Sequence, residues 1–357
     1  MWFGKKSLGI DISDYSIEIV SLGGSFDSPK LETLARDVLQ EGICENGEIK
    51  RSEDLKGKIQ KLLENPDFGK IGTNKIVFSL PEEQVFIRNF FLPEEISPKE
   101  AEEYAAFQAK ESFPFPAEAI YFDSRIKERE VFLAASPKKI IQEYFKVFQE
   151  LRLRPVAFEP SPLSLARALS AGDNSSCLIA DIGDFITSFC VFEKKALKMS
   201  FSFPLAGRAL TKAISEKLAL PGETAERFKE KAGLNPKLKQ GKIFLVLQKE
   251  LQEIIKETKR ISDYFFNKTG KSVEKIILAG GSAALPGIVD YLAQNLETKV
   301  EVGDPWQKIN IDILKKKEYL KEAMKVNPLL YSSAIGAALR GLEKNPRGAG
   351  VNLLTKN

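Results

Sequence analysis

Two short acidic turns of nearly identical sequence recur in this chain, at Asp11–Tyr15 (DISDY) and at Asp181–Phe185 (DIGDF). Small residues in such a turn leave backbone N–H groups uncovered, and converging N–H groups bind phosphate oxygens. Asp11 and Asp181 supply carboxylate oxygens, which Mg²⁺ prefers as ligands while it keeps several waters. Either copy alone is best explained as an ordinary hairpin turn, where Asp and Gly are common. The repetition instead predicts a site for magnesium and phosphate.

A third element carries glycines at the end of a buried strand. The apolar run 276–279 leads into Gly280-Gly281-Ser282, and Leu285 then precedes a helix. Glycine there lets the backbone approach a ligand closely, and the N-terminus of a helix favours anionic groups. A Gly-Gly-Ser sequence alone indicates only a turn, but its position between a strand and a helix strengthens the prediction of a binding loop.

The composition excludes several kinds of chemistry. The 357 residues include no histidine, which excludes Ser-His-Asp and Cys-His catalysis and histidine-ligated zinc. The three cysteines lack metal-like spacing, and reduced buried thiols of a cytosolic protein explain them. The net charge of +4 is small and dispersed, so nucleic acid is not an expected partner. Neither a secretory signal nor a run of roughly 18 apolar residues is found, and we expect a cytosolic location.

Alternating apolar residues after each acidic turn predict that both turns close β-hairpins. Two such hairpins in one long chain suggest a duplicated domain facing itself across a cleft. Further strands and helices, with a distinct α+β segment after the first repeat, complete an α/β protein. The predicted boundaries are 1–80 for the first subdomain, 81–155 for the insertion, 156–215 for the second subdomain, 216–270 for a helical subdomain, 271–343 for the rest of the second, and 344–357 for a tail.

These elements in this order resemble the actin/Hsp70/sugar-kinase ATPase superfamily, and most closely the type IV pilus assembly family PilM, a relative of FtsA. The two hairpins resemble the phosphate-1 and phosphate-2 motifs, and Leu278–Gly287 resembles the adenosine motif. The insertion carries a PilM-like pattern that ends in Phe113-Pro114-Phe115-Pro116. The resemblance implies two duplicated ribonuclease-H-like domains around a nucleotide cleft, with small residues around Gly336 packing a connecting helix closely.

The resemblance also implies ATP or ADP with Mg²⁺ as cofactors, and it places Glu257 and Arg260 near the nucleoside. Asp11 and Asp181 are the implied metal ligands, and Glu159 is the candidate for orienting water, with a structural helix-start carboxylate as its alternative. The implied nucleotide-binding residues are Asp11, Ser13, Asp14, Tyr15, Ser16, Asp181, Gly183, Asp184, Thr187, Gly207, Glu257, Arg260, Gly280, Gly281, Ser282 and Leu285.

Two departures from the family lower the expected activity. Ser13 stands where the family usually has glycine, and Glu18 stands where it often has lysine. An anion in place of a cation weakens polyphosphate binding if it faces the ligand. We therefore expect ATP to bind and its hydrolysis to be slow or absent.

The family implies a cytosolic scaffold that docks the N-terminal peptide of a PilN-like inner-membrane protein. A filament-forming, FtsA-like cytoskeletal protein and a small-molecule kinase are the alternatives, although no extra Asp-rich motif supports the kinase. The tail contains Val351-Asn352-Leu353-Leu354, which resembles the segment with which PilN-type partners begin. The sequence suggests that this tail occupies the partner groove of the same or a neighbouring molecule, whereas a disordered terminus is the alternative.

Overall fold

The computed structural model describes residues 5–170 and 175–354. The chain divides into two compact units, Met1–Ala171 with Pro305–Asn357, and Gly172–Asp304. Residues 1–4, 171–174 and 355–357 lie outside the described residues, the last three within the predicted tail. Each unit is organised around one mixed sheet, and each acidic turn belongs to a different unit.

The first unit starts with the predicted hairpin and continues into a mixed sheet of six strands in the order β11-β7-β1-β2-β3-β6. β1 pairs antiparallel with β2 and parallel with β7, and β7 pairs parallel with β11. The strands of this unit are β1 Lys5–Ile12, β2 Ser16–Ser25, β3 Ser28–Val38, β4 Cys44–Glu45, β5 Glu48–Ile49, β6 Phe68–Gly69, β7 Lys75–Leu80, β8 Phe86–Phe91, β9 Ile120–Lys127, β10 Glu130–Pro137 and β11 Arg154–Pro160. Its first four helices are α1 Ser52–Glu64, α2 Ala101–Ser112, α3 Lys138–Glu150 and α4 Ser161–Leu169.

The expected insertion forms a small sheet of its own, in the order β8-β10-β9. Helix α2 contributes the alanines Ala101 and Ala105 to a small apolar core with Val131 of β10. Just before α2, the carboxylate of Glu100 accepts hydrogen bonds from both the amide (3.0 Å) and the hydroxyl (2.6 Å) of Ser97, which fixes the turn that leads into the helix.

The second unit repeats the topology of the first. Its sheet has the order β14-β13-β12-β15-β16, with β12 antiparallel to β13 and parallel to β15. The strands are β12 Cys177–Ile182, β13 Thr187–Glu193, β14 Ala196–Phe203, β15 Lys275–Ala279 and β16 Lys299–Val302, and the helices are α5 Gly207–Leu218, α6 Gly222–Ala232, α7 Lys242–Thr269 and α8 Ile288–Leu296. Taken from its other edge, this order is β16-β15-β12-β13-β14, which corresponds to β11-β7-β1-β2-β3 of the first sheet, with β6 as an additional edge strand there. The matching order and strand directions confirm the predicted duplication.

The chain then returns to the first unit through α9 (Leu320–Ala323) and α10 (Ser332–Leu342). α10 is buried and packs against β1 and α4. A Cβ atom built on Gly336 would lie 1.7 Å from the carbonyl oxygen of Ser164, so only glycine permits this approach. The expectation of a closely packed connecting helix therefore agrees with the structure.

The unit boundary differs from the expected subdomain boundary. Residues 156–169, which form α4 and most of β11 and belong to the expected second subdomain, lie in the first unit. β11 pairs with β7, from Arg154 opposite Lys75 to Pro160 opposite Leu80, and it is the edge strand of the first sheet. A strand that follows a helix can join either sheet, and its apolar pattern alone does not distinguish them.

The described part of the tail is ordered into the first unit. Val351 and Leu353 are each 1% exposed and belong to the same apolar core as Tyr144 and Phe158. Within residues 5–170 and 175–354, no helix combines the length and the apolar composition needed to cross a bilayer.

Candidate functional site

The first turn closes with a hydrogen bond from the Ser13 amide to the carbonyl of Ser16 (2.9 Å). The Ser13 hydroxyl oxygen accepts hydrogen bonds from the amides of Ser16 (3.0 Å) and Tyr15 (3.2 Å). The side chain of Asp14 points away to the amides of Asn46 (2.6 Å) and Gly47 (2.9 Å). Serine in place of glycine thus covers two amides that would otherwise be offered to a phosphate.

Carboxylates dominate the charge around this turn. Asp11 lies opposite Glu18 in the β1–β2 ladder, and Glu18 lies opposite Arg36 in the β2–β3 ladder. Glu18 is 3% exposed, and its carboxylate accepts a hydrogen bond from Arg36 Nε at 2.8 Å. Glu18 therefore points to the same side of the sheet as Asp11, and its charge is partly neutralised by the next strand.

Burial raises the pKa of Asp11 to about 6, against the opposing effect of the Ser79 hydroxyl. Burial also raises the pKa of Glu18 to about 7, where Arg36 opposes the shift and Asp11 adds to it. Glu83 follows the same trend, with its pKa raised to about 7 by burial and by the nearby Asp14. A region with several buried carboxyl groups whose ionisation is disfavoured attracts a cation more readily than a phosphate without a metal ion.

The second turn closes in the same way, with the Gly183 amide donating to the carbonyl of Ile186 (3.1 Å). The first two amides of α5 donate hydrogen bonds to carbonyl groups of this turn. The Gly207 amide donates to the Gly183 carbonyl (3.0 Å), and the Arg208 amide donates to the Asp184 carbonyl (2.9 Å). Within the described residues, the amides of Asp184 and Phe185 donate no hydrogen bond. This turn therefore offers uncovered donors, which is the geometry that binds an anion.

The glycine turn after β15 lies directly against the second acidic turn. Gly280 has a φ of +77°, and a Cβ atom built on it would lie 2.4 Å from Asp181 Oδ1 and 2.5 Å from the Ile182 carbonyl oxygen. A Cβ atom on Gly207 would lie 2.8 Å from the Ser282 hydroxyl. Asp181, Gly183, Gly207, Gly280 and Ser282 therefore lie close together, and their binding of a ligand stays a prediction.

Two cations beside the second turn are absent from the sequence-based prediction. Arg208 Nε donates to the carboxylate of Asp184 (3.1 Å), and the Arg208 guanidinium lies 4.0 Å from the centre of the Phe185 ring. Lys229 of α6 is 4% exposed, and its ammonium donates to the Gly207 carbonyl (3.0 Å) and the Thr211 hydroxyl (2.9 Å). Lys229 also pairs with Glu226 at 2.9 Å. In the sequence this pair resembles any surface i,i+3 pair, so only its burial identifies it.

Burial raises the pKa of Asp184, and Arg208 and Lys229 act in the opposite direction. These cations accordingly lie within electrostatic reach of the second turn. A buried ammonium close to uncovered amides adds to the attraction for a phosphate.

Other predicted nucleotide-binding residues have different surroundings. The buried Thr187 donates its hydroxyl hydrogen to the Leu205 carbonyl (2.6 Å), and Leu285 is buried before α8. Glu257 and Arg260 pair with each other on α7, and Arg260 also lies over Phe201 of β14. Among the described residues, neither makes a hydrogen bond to the acidic or glycine turns. Their contact with a nucleoside stays a prediction.

Glu159 is fully buried in the first unit. One carboxylate oxygen accepts hydrogen bonds from Ser164 (2.6 Å) and Arg167 (2.6 Å), and the other accepts from Arg167 (2.9 Å) and Arg340 (2.6 Å). Burial opposes ionisation, but the two guanidinium groups outweigh it and lower the pKa to about 2. This geometry favours the structural alternative for Glu159, and orientation of water by this residue stays a prediction.

The residues present suit a magnesium-bound nucleotide in the way that Mg²⁺ is usually bound. Within the described ranges, no three His, Cys, Asp or Glu side chains gather as an all-protein metal site. Mg²⁺ typically takes only one or two carboxylates and completes its shell with water and phosphate oxygens. Asp11 of the first unit and Asp181 of the second each stand partly exposed at the end of a strand, and their joint binding of Mg²⁺ stays a prediction.

The comparison with protein families gives one match that extends over nearly the whole chain. Residues 9–342 match the family model described as type IV pilus assembly protein PilM. This range includes both acidic turns, the insertion and α10.

Solved structures share the fold. A PilM–PilN type IV pilus biogenesis complex matches with a TM-score of 0.78 and 23% identity, covering 94% of this chain and 98% of that one. The ethanolamine utilization protein EutJ from Carboxydothermus hydrogenoformans matches with a TM-score of 0.54 and 16% identity, over 94% and 89% of the chains. MreB5 of Spiroplasma citri bound to AMPPNP matches with a TM-score of 0.51 and 13% identity, over 90% and 98%. The predicted actin-like fold is thereby confirmed.

Proposed function

This chain belongs to the type IV pilus assembly protein PilM family, and we propose that it serves pilus assembly as an ATP-binding scaffold that docks a PilN-like membrane protein. The observation that carries the proposal is the family match over residues 9–342, which includes both acidic turns, the glycine turn, the insertion and α10. Within that family assignment, the two acidic turns and the glycine turn supply the chemistry for a nucleotide.

The nucleotide part of the proposal assigns different tasks to the two units. The uncovered amides of Asp184 and Phe185, with Lys229 close by, bind phosphate oxygens. Asp11 and Asp181 hold a hydrated Mg²⁺, which neutralises charge on the triphosphate beside the acidic first turn. Gly280 and Gly281 let the backbone approach the nucleoside. The similarity to MreB5, solved with AMPPNP, supports a nucleotide as the ligand of this fold.

Isothermal titration calorimetry tests this part of the proposal. Nucleotide-free protein titrated with ATP and Mg²⁺ is expected to release heat with a stoichiometry of one, and EDTA should weaken the binding. ATP with excess EDTA serves as the metal control, and GTP serves as the base control. Absence of heat at millimolar nucleotide would remove the nucleotide from the proposal.

Hydrolysis is proposed to be slow or absent. Glu159 already accepts four hydrogen bonds from protein groups, so it has little capacity left to orient a water molecule. A phosphate-release assay with Glu159→Gln distinguishes a role in orienting water from a structural role in the buried ion pairs. A basal rate that is low and unchanged in the variant, accompanied by a lower melting temperature, supports the structural role. A rate that falls at an unchanged melting temperature would restore Glu159 as a catalytic residue.

The partner part of the proposal rests on the family and on the similar PilM–PilN complex. We expect the cytosolic N-terminal peptide of a PilN-like protein to bind and to bring this chain to the inner face of the inner membrane. Fluorescence polarisation with such a labelled peptide tests docking directly. A scrambled peptide of the same composition is the control, and equal binding of both would contradict specific docking.

A further inference from the structure

The described end of the tail, Val351–Leu354, fills a groove in the first unit. Here "tail groove" denotes the surface formed by Asp123 and Arg125 of β9, Val156 and Phe158 of β11, and Arg340 of α10. Val351 and Leu353 are buried in the apolar core, and Leu354 packs against it. The tail thus lies where the insertion meets the main sheet of the first unit.

The tail runs along an edge of the main sheet where, among residues 5–170 and 175–354, no further strand pairs. β11 is the edge strand of its sheet. The Leu353 amide donates to the Phe158 carbonyl (2.9 Å), and the Phe158 amide donates to the Asn352 side-chain oxygen (3.0 Å). Open edge strands bind extended peptides through main-chain hydrogen bonds, with pockets for alternate side chains. Val351 and Leu353 fill such alternate positions.

Asn352 makes hydrogen bonds to the groove with both its side chain and its backbone. Its amide group donates to the Val156 carbonyl (3.3 Å), and its backbone N–H donates to the Asp123 carboxylate (2.9 Å). Its side-chain oxygen also accepts from the Leu354 amide (3.1 Å), which holds the segment in one conformation. The tail groove therefore selects asparagine between two apolar residues.

Two arginines hold the carbonyl groups of the tail. Arg125 donates to the Gly350 carbonyl, and the fully buried Arg340 donates to the carbonyls of Val351 (2.6 Å) and Gly350 (3.1 Å). Arg340 also binds the buried carboxylate of Glu159 (2.6 Å). These contacts are to main-chain atoms, so any extended peptide that presents carbonyls at the same spacing satisfies both arginines.

From this geometry we propose that Val351–Leu354 is a built-in competitor, which occupies the tail groove and must leave it before a partner peptide can dock there. This inference rests on the proposed docking of a PilN-like peptide, and it adds a regulation of that docking by the chain's own tail. A tethered segment acts at an effective concentration on the order of millimolar, so it raises the concentration of free peptide needed for docking.

The test measures binding of a labelled N-terminal peptide of a PilN-like protein from the same organism. The proteins compared are the full chain, a chain that ends at Gly350, the variant Asn352→Ala, and the control Asn65→Ala at the exposed end of α1. The chain that ends at Gly350 should bind about tenfold or more tightly than the full chain. Asn352→Ala should tighten binding several-fold, and Asn65→Ala should leave it unchanged.

A second measurement adds a synthetic peptide of residues 349–357 to the shortened chain. This peptide should compete with the labelled partner peptide, and Asp123→Ala in the groove should weaken both. Circular dichroism melts check folding; if the shortened chain does not fold, Asn352→Ala decides the outcome, because it keeps both buried apolar side chains.

The outcomes separate the inference from the function on which it rests. Partner peptide that binds the full and shortened chains equally, without competition from residues 349–357, overturns the competitor and leaves docking intact. Partner peptide that binds none of the proteins contradicts the proposed docking itself. Tighter binding after tail removal, with loss on Asp123→Ala, supports both.

Discussion

The two acidic turns close with the same backbone hydrogen bond, but the charged groups around them differ in sign. Asp11 and Asp181 occupy the same register position, and each turn closes with the same amide-to-carbonyl hydrogen bond. The first turn is surrounded by carboxylates whose pKa values are raised, Glu18 and Glu83 among them. The second has Arg208 and the buried Lys229 beside it. The duplicated unit has thus diverged, and the first turn suits a cation whereas the second suits an anion.

Single residues at matching positions produce this divergence. Glu18 faces Asp11, whereas Ser188 faces Asp181. Ser13 covers the amides of its own turn, whereas Gly183 leaves those of Asp184 and Phe185 uncovered. If the protein binds a nucleotide as proposed, both differences disfavour phosphate at the first turn and favour it at the second. The substitutions below should therefore act unequally on the two turns.

The largest effect is expected from Gly280→Ala, which breaks the second turn. The added methyl group would collide with Asp181 and Ile182 in a backbone conformation that alanine adopts poorly. We expect a loss of about 2–4 kcal/mol in the free energy of unfolding, together with loss of ATP binding. Urea denaturation and calorimetry measure the two effects. Gly222→Ala at the start of α6 is the matched control, because a Cβ atom there meets nothing within 4 Å; equal effects of both variants would contradict the account.

Lys229→Met should weaken ATP binding at the second turn by about tenfold, since a cation near phosphate contributes on the order of 1 kcal/mol or more. The same change removes hydrogen bonds to Gly207 and Thr211, so stability is measured in parallel. Lys231→Met, exposed on the same helix, controls for loss of charge alone. If both variants bind ATP equally well, the buried lysine has no part in phosphate binding.

The buried carboxyl groups at the first turn should make the free energy of unfolding depend on pH. The pKa values of Asp11 and Glu18 are raised in the fold, to about 6 and about 7, so their charged forms disfavour folding at high pH. This penalty disappears as pH falls through those values. The two groups should therefore raise the free energy of unfolding by about 1–3 kcal/mol between about pH 8 and about pH 5. Denaturation curves across this range measure the effect.

Glu18→Gln should remove part of that pH dependence, whereas Glu45→Gln at an exposed position should not. Binding of ATP with Mg²⁺ should change in the opposite direction and weaken toward low pH, because a protonated Asp11 ligates Mg²⁺ poorly. Stability that falls on acidification in the wild type relative to Glu18→Gln would show that the sign is wrong.

The smallest effect is expected from Ser13→Gly, which makes the first turn more like the second. Removing the hydroxyl frees the amides of Tyr15 and Ser16 for a ligand. ATP affinity should rise about twofold to fivefold, the equivalent of roughly one modest hydrogen bond. Calorimetry compares it with Ser13→Ala, which also frees the amides but keeps a side chain; reduced affinity in both would mean that the hydroxyl itself contacts the nucleotide.

Much of the fold could be predicted from the sequence, because alternating strands, helix caps and repeated turns are local signals. The hairpins and the insertion follow from such signals, whereas the close packing at Gly336 was expected from the resemblance to the family. The position of β11 could not, since pairing with β7 or with the second sheet is decided by distant residues. The packing of Val351 and Leu353 depends likewise on a groove that three separate elements form.

The close approach of Asp181, Gly183, Gly207 and Gly280 is decided by backbone geometry, so glycines at turns were a sufficient signal for it. The candidate site was not predictable where burial decides it. Lys229 has the sequence context of a surface lysine, yet it is 4% exposed. Glu159 is the sequence-based candidate for orienting water, yet its oxygens accept hydrogen bonds from Arg167 and Arg340. Sequence spacing indicates which side chains lie on the same helix or strand, but it does not indicate which residues from other elements form hydrogen bonds or ion pairs with them.

A crystal structure of the protein with AMPPNP and Mn²⁺ tests the central claim most directly, because the anomalous signal of Mn²⁺ locates the metal independently of the nucleotide. The account predicts a metal peak beside Asp11 and Asp181 and phosphate oxygens on the amides of Asp184 and Phe185. Nucleotide bound away from these turns, or phosphates seated on the Ser13 turn with no metal at Asp11, would contradict it.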